Sequence, residues 1–385
     1  MPSDFEKWLS TPPSGEPKKE LRKAEFRLIE SEENETRLRI GIATEASPTH
    51  ANGNEDSYYV SEERGIDFVS DGIGGGLAGN LASAKAAQEL TLERLSTRDI
   101  MTRLVMEAGR EEPLASSEDV EHALKQTLVN MQSAIRELQM DPEIISMAVK
   151  QAEKQYKRRF NPSDPMDRHL VLDIAKSMGC TASLSKIWRD SEGKDFQTIA
   201  HIGDSRIYRL RKSRLERLTP DHSLAQAIVD LRIPDINGNP IEDDQDITRV
   251  FSLQELEKHS KDREDIKSII RLMKQKKVAT LTLDDIRHYI LQSIGSDTNP
   301  IPFVRTDELE DGDTQLECSD GLSDVLTDQE MQAILLRYHD DPLKAAQELE
   351  QAAANRSQTN HLRAKPDDIT VIVRNYSRKK QEIKT

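Results

Sequence analysis

From Arg37 the chain alternates apolar and polar positions. RLRIGIATEA reads as a strand, and SYYVSEERGIDFVSD as two short strands joined by a turn at Arg64-Gly65. The small and apolar positions of NLASAKAAQELTLERL then predict a helix. Residues 116 to 160 form a long helical stretch. Ser116 and Asp119 suit a capping box, and Val120, Leu124, Leu128, Met131, Ile135 and Leu138 recur at steps of three and four as one stripe that packs on a core. Strand texture returns at CTASLSKIWRD and at FQTIAHIGDSRIYRLRKSRLERL, whose second half reads as a hairpin turning near Lys212 and Ser213. The last third predicts a strand (TQLECSD), a helix (LTDQEMQAILLRYH) capped by Thr327 with Glu330, and a strand (DITVIVRNY).

Three segments depart from this texture. Residues 1–36 are polar, with Pro12, Pro13 and Pro17 among charges, and read as a loose extension with at most one short helix. Residues 233–290 are charged and interrupted by Pro234, Pro240 and the basic run KQKKVA. They read as an inserted subdomain or flap, the run being a solvated face. Residues 379–385 end a polar tail. No internal repeat is visible.

Composition narrows the function classes. The 385 residues carry a net charge of −15, which argues against a nucleic-acid backbone or an anionic membrane as the main partner. No apolar run approaches the roughly 20 residues that span a bilayer, and the first residues do not read as a secretory signal. The two cysteines, Cys180 and Cys318, have neither disulfide-framework nor zinc spacing. A reducing, cytoplasmic setting is expected.

Four segments place an aspartate at the end of an expected strand, next to a residue suited to a turn. They are Asn54-Glu55-Asp56, Asp71-Gly72, Asp320-Gly321 and Asp367-Asp368. Asp-Gly alone is a common turn dipeptide. Four such strand ends can aim oxygen ligands at one point, and in the absence of a Cys/His cluster they favour Mg2+ or Mn2+ over zinc.

The order NED, VSDGIGGGLAGNLAS, GCTAS, AHIGDSRIYRL, LTPDHS, SIGS, ECSDGLSD and KPDDITVIV resembles the metal-dependent protein phosphatases (PPM, or type 2C) over about residues 38 to 376, and DGIGG with Ile73 looks like the bacterial branch. The resemblance implies an α+β fold, a four-layer α-β-β-α sandwich of two antiparallel sheets flanked by helices. The domain would span 37–378, with a helical insertion at about 100–175 and the flap-type insertion at about 233–290. It implies two Mn2+ or Mg2+ ions and a third, looser one. Asp71 would bridge the first two, the Gly72 carbonyl would add an oxygen, and Asp320 and Asp367 would hold one ion. Glu55 and Asp56 would serve the other, directly or through water. Asp204 and Asp324 resemble the holders of the third ion. The implied reaction is hydrolysis of phosphoserine and phosphothreonine by water activated between two ions, with Asp71 and Asp56 as catalytic residues and a phosphorylated protein as substrate. The insertion at 233–290 would shape substrate choice. The oligomeric state is left open.

The sequence also departs from the family pattern. Where the family usually has a phosphate-binding arginine stands Ala51, or His50 if the loop carries one extra residue. Ile73 replaces the histidine that is the candidate general acid of animal relatives. Asp368 stands where asparagine is usual, which could repel substrate or strengthen ion binding. Two other readings compete. Gly74, Gly76 and Gly79 fit a dinucleotide-binding G-x-G-x-x-G, yet no second strand ending in an acidic residue follows. A catalytically weak or inactive phosphatase-like scaffold, binding partners through its insertions, would account for the missing arginine.

Overall fold

The alternating segments pair into two sheets in the computed structural model, which describes residues 24–33, 36–50, 53–73, 77–92, 116–161 and 163–378. The strands are β1 (Glu25–Glu33), β2 (Thr36–Glu45), β3 (Asp56–Ser61), β4 (Ile66–Asp71), β5 (Ala182–Arg189), β6 (Asp195–Ile202), β7 (Arg206–Arg211) and β8 (Arg214–Arg217). They continue with β9 (Val250–Ser252), β10 (Thr280–Thr282), β11 (Phe303–Glu308), β12 (Thr314–Cys318) and β13 (Ile369–Arg378). One sheet runs β1-β2-β13-β12-β7-β8 and the other β11-β6-β5-β4-β3; β9 and β10 pair separately. Among the described residues every pairing is antiparallel. That excludes the parallel sheet a dinucleotide fold needs.

The helices are α1 (Gly79–Leu92), α2 (Ser117–Gln139), α3 (Pro142–Tyr156), α4 (Pro165–Lys176), α5 (Leu224–Asp230), α6 (Leu253–His259), α7 (Glu264–Lys276), α8 (Asp320–Ser323), α9 (Asp328–Arg337) and α10 (Pro342–Ser357). Period-2 side chains give each strand two faces, and the apolar ones must be covered. Between the sheets, Ile40, Ile42 and Ile372 of one meet Val69 of the other. Outside, α1 and α2 cover the β11-to-β3 sheet, and α10 lies on β2 and β13. The four layers are those expected. Gly41 lets α10 approach, since a Cβ there would come within 2.2 Å of the Pro342 carbonyl oxygen.

Both expected capping boxes form, at Ser116/Asp119 and Thr327/Glu330. The hairpin turns at Lys212 and Ser213 with positive φ at both, the geometry that matches strand twist. The extension read at residues 1–36 is corrected, because β1 runs from Glu25 and pairs with β2 from Glu25↔Thr44 to Glu33↔Thr36. Its residues looked unstructured because an edge strand is held by ladder hydrogen bonds. Ile29 is buried, whereas Phe26 and Leu28 are exposed. Residues 1–23 and 379–385 lie outside the described residues. The long stretch 116–160 is also divided, since α2 stops at Gln139 and Asp141 caps a new helix with Pro142 in its first turn. The edge strand β11 was not anticipated. Around 233–290 a separate small core forms, with Ile233, Phe251, Ile269, Met273 and Leu283 packed together with α5.

Candidate metal centre

The site is assembled from strand ends of both sheets. Asp56 opens β3 and Asp71 closes β4, and the two are register partners. From the other sheet, β12 runs into Ser319 and Asp320 at the start of α8, and Asp367 precedes β13. The sheets are stitched here: the Ser319 hydroxyl donates to Asp56 Oδ2 at 2.7 Å, and the Thr370 N–H donates to Ser319 Oγ at 3.0 Å.

The motif residues around Asp71 hold its backbone. Its N–H donates to Thr181 Oγ1 and its carbonyl accepts from the Thr181 N–H, both at 2.8 Å. Thr181 Oγ1 in turn bonds Ser205 Oγ at 2.7 Å. Gly72 is required by crowding. A Cβ there would lie 2.3 Å from the Gly79 carbonyl oxygen and 2.8 Å from that of Glu55, whose oxygen accepts the Gly72 N–H. In the GDSR and LTPDHS motifs, Arg206 pairs with Asp221 and with Asp244 of the flap region at 2.6 Å each.

The carboxylates are close enough to oppose one another's ionisation. Burial, then the fields of Asp56, Asp320, Asp367 and Asp204, push the Asp71 carboxyl well above the usual range. Burial, with Asp368 and Asp367, does the same to Asp56 despite the Ser319 bond. Burial, then Asp320, Asp221 and Asp324, raises Asp204. Glu55 is raised by burial against the opposing pull of His50. Asp56 Oδ1, Asp204 Oδ1 and Asp320 Oδ1 are buried without a hydrogen-bond partner. Hard oxygens, mutually repelling and partly orphaned, fit a divalent cation of the Mg2+ or Mn2+ kind. Among the described residues, no group of three or more His, Cys, Asp or Glu side chains is arranged as it stands to hold a metal ion.

A basic side chain lies among the Asp320-side carboxylates. Lys365 Nζ is 2.5 Å from Asp320 Oδ2, 3.0 Å from Asp324 Oδ2 and 3.0 Å from Asp367 Oδ2. Arg287 Nη1 is 3.0 Å from Asp324 Oδ1. Burial pushes Asp324 upward, but Lys365 and Arg287 outweigh it and hold the carboxyl at about 2. Of the pair expected to hold a third ion, Asp204 therefore keeps an unpartnered oxygen, while Asp324 is engaged by two cations. Sequence reading missed Lys365, Ser319 and Arg287. For Lys365 a signal was present, a cation two residues before Asp367 in KPDD.

Asp368 is engaged by the loop before β3. It is buried and accepts from the Ser47 N–H at 2.5 Å, the Glu55 N–H at 2.6 Å and His50 Nδ1 at 2.8 Å. It thus ties down the loop that delivers Glu55 and Asp56. Burial pulls the His50 pKa down, but Asp368 outweighs it and the net shift is upward. His50 commits one ring nitrogen to this bond, and Ala51 lies outside the described residues. Asp368→Ala should strand two backbone donors and cost about 2–4 kcal/mol, read as a lower urea midpoint with unchanged slope. Cys180 and Cys318 are buried free thiols, Cys180 pushed up to about 12 by burial, so neither is a poised nucleophile.

Solved structures share this architecture. A serine/threonine phosphatase from S. agalactiae is 20% identical and matches with a TM-score of 0.54 over 88% of this chain and 98% of its own. PppA, a key regulatory component of T6SS in Pseudomonas aeruginosa, is 19% identical, with a TM-score of 0.51 over 88% of this chain and 97% of its own. A bacterial serine phosphatase, also 19% identical, matches with a TM-score of 0.51 over 87% and 96%. Neither a family model nor a curated protein sequence matches the chain. The chain has the fold of bacterial serine/threonine phosphatases, the one that the order of motifs implied.

Proposed function

We propose that this chain is a metal-dependent serine/threonine protein phosphatase of the PPM type, acting on phosphorylated proteins. The observation that carries the reading is the carboxylate cluster around half-buried Asp71, mutually repelling, with buried, orphaned oxygens on Asp56, Asp204 and Asp320. Asp71 feels the carboxylates of both sheets at once, which suits it to bridge two ions. Glu55, Asp56 and the Gly72 carbonyl would complete one side, and Asp320 with Asp367 the other. When bound, Mn2+ or Mg2+ would supply a more acidic water and positive charge opposite the phosphoryl oxygens. The protein's own part is to fix these oxygens through Thr181, Ser319 and Asp368. The flap region at 233–290 lies beside the site, with Arg287 on Asp324, and would shape the choice of phosphoprotein. Among the described residues no helix is long and apolar enough to cross a membrane. Two buried free thiols accord with a reducing, cytoplasmic setting.

The scaffold reading has one observation in its favour, the basic side chains Lys365 and Arg287 among the carboxylates. Phosphate release from a phosphothreonine peptide and from p-nitrophenyl phosphate separates the two. Turnover with Mn2+ or Mg2+ should fall at least about a hundredfold in excess chelator and return when metal is restored. A folded protein inert with every metal would favour the scaffold.

A further inference from the structure

The two halves of the site are supplied with positive charge in opposite ways. Among the described residues, no Lys or Arg pairs with Asp56 or Asp71, and burial with neighbouring carboxylates raises both. On the other side, one ammonium lies within ion-pair distance of three carboxylates, donating to those of Asp320 and Asp324 and standing 3.0 Å from that of Asp367. Arg287 adds a guanidinium on the far oxygen of Asp324 and donates to the Asp324 carbonyl at 2.9 Å. Arg363 donates to the Asp324 and Ser323 carbonyls, each at 3.1 Å. The Asp320 side is therefore a cation site already holding a cation of its own. Lys365 is partly exposed, at 27%, so its flexible stem has solvent to swing into.

We propose that Lys365 is a tethered competitor for the second divalent ion. Its ammonium occupies the place between Asp320 and Asp367 that an ion would take. One ion then binds tightly on the Asp56/Asp71 side, and a second enters only by displacing Lys365. The proposal rests on the metal-site reading above. Its consequence is a protein whose second ion responds to the prevailing divalent-cation concentration. Lys365 acts through the carboxylates and is a positioning residue, since it needs no contact with substrate.

The test is a Mn2+ titration of the full chain by calorimetry, with free Mn2+ followed by electron paramagnetic resonance. Wild type should show one tight event and a second at least about tenfold weaker, or about 1.4 kcal/mol. Lys365→Met removes the charge while keeping length and apolar bulk. It should tighten the second event at least about tenfold and leave the first unchanged, whereas Lys365→Arg should keep the second event weak. Two equal tight events in wild type would overturn the proposal without any variant. So would a second event unchanged by Lys365→Met in a protein whose melting curve shows it folded. If no protein, wild type included, binds Mn2+ at all, the metal-site reading itself fails and the proposal falls with it.

Discussion

Asp71→Asn should lower metal-dependent turnover by at least about a thousandfold, close to 4 kcal/mol of transition-state stabilisation, while making the metal-free protein more stable. Both effects follow from one feature. Asp71 is the carboxylate on which the fields of Asp56, Asp320, Asp367 and Asp204 converge, so removing its charge takes away the side chain proposed to bridge two ions. Without a cation, the same charge is a liability that burial and those neighbours impose. The pH dependence fixes the sign. A carboxyl whose folded pKa is raised contributes stability that is fully present below its unfolded value and is lost as pH rises through the folded one. Asparagine does not titrate. In chelator, the difference in melting temperature between variant and wild type should therefore grow in the variant's favour from pH 5 to pH 8. Asp324, held at about 2, does not titrate in that window. The buried His201 and His222, lowered to about 3 and about 4 by burial, contribute equally to both proteins and cancel in the difference. Saturating Mn2+ should reverse the order, because only wild type gains the full binding energy. A variant that keeps turnover, or that is less stable than wild type in chelator at pH 8, would sink the assignment of Asp71.

The strands and helices legible from sequence were those whose pattern is set by burial. β2, β4, β12 and β13 alternate because one or both faces meet a core, and α2 carries its stripe because Leu124, Met131 and Ile135 are fully buried. β1 was hard to read because its order comes mainly from a backbone ladder to β2, and of its apolar side chains Ile29 is buried while Phe26 and Leu28 are exposed. The break between α2 and α3 was readable in principle at Asp141-Pro142, but the apolar recurrence ran past it. At the site, the aspartates could be named because each stands at a strand end beside a turn residue. Their partners could not. Ser319 and Lys365 acquire meaning only when β12 and β13 lie side by side and bring KPDD over ECSDGLSD. The partners of Asp368 were illegible for the same reason. Its three donors come from a loop that is distant in sequence and adjacent only after folding.

Arg374→Ala should cost about 3–5 kcal/mol and lower the melting temperature by roughly 5–10 °C, the largest stability effect expected of a single residue far from the carboxylate cluster. Arg374 on β13 is 1% exposed and pairs across the sheets with Asp67 on β4, which is fully buried. Glu317 on β12 is also fully buried, and neither of its carboxylate oxygens has a partner. Burial raises Asp67 against the pull of Arg374, while burial and then Asp67 raise Glu317 well above its usual range. Truncating the arginine leaves two buried carboxyls facing each other without a cation. Both then have raised pKa values, so the loss should be greatest at high pH and shrink as pH falls and the carboxyls are protonated. Replacing the pair together, Arg374→Met with Asp67→Leu, should recover part of the loss, because it removes one of the two orphaned carboxyls and relieves Glu317 of the field of Asp67. A double variant as unstable as Arg374→Ala would assign the cost to packing. The same pair bears on the site. Asp67 lies on the strand that ends at Asp71, Arg374 on the strand that follows Asp367, and Glu317 on the strand that leads to Asp320. The Arg374–Asp67 contact is therefore one of those that set the spacing between the two halves of the carboxylate cluster. Arg374→Ala should accordingly weaken Mn2+ binding even at temperatures where the chain is still folded, and the double variant should restore part of it.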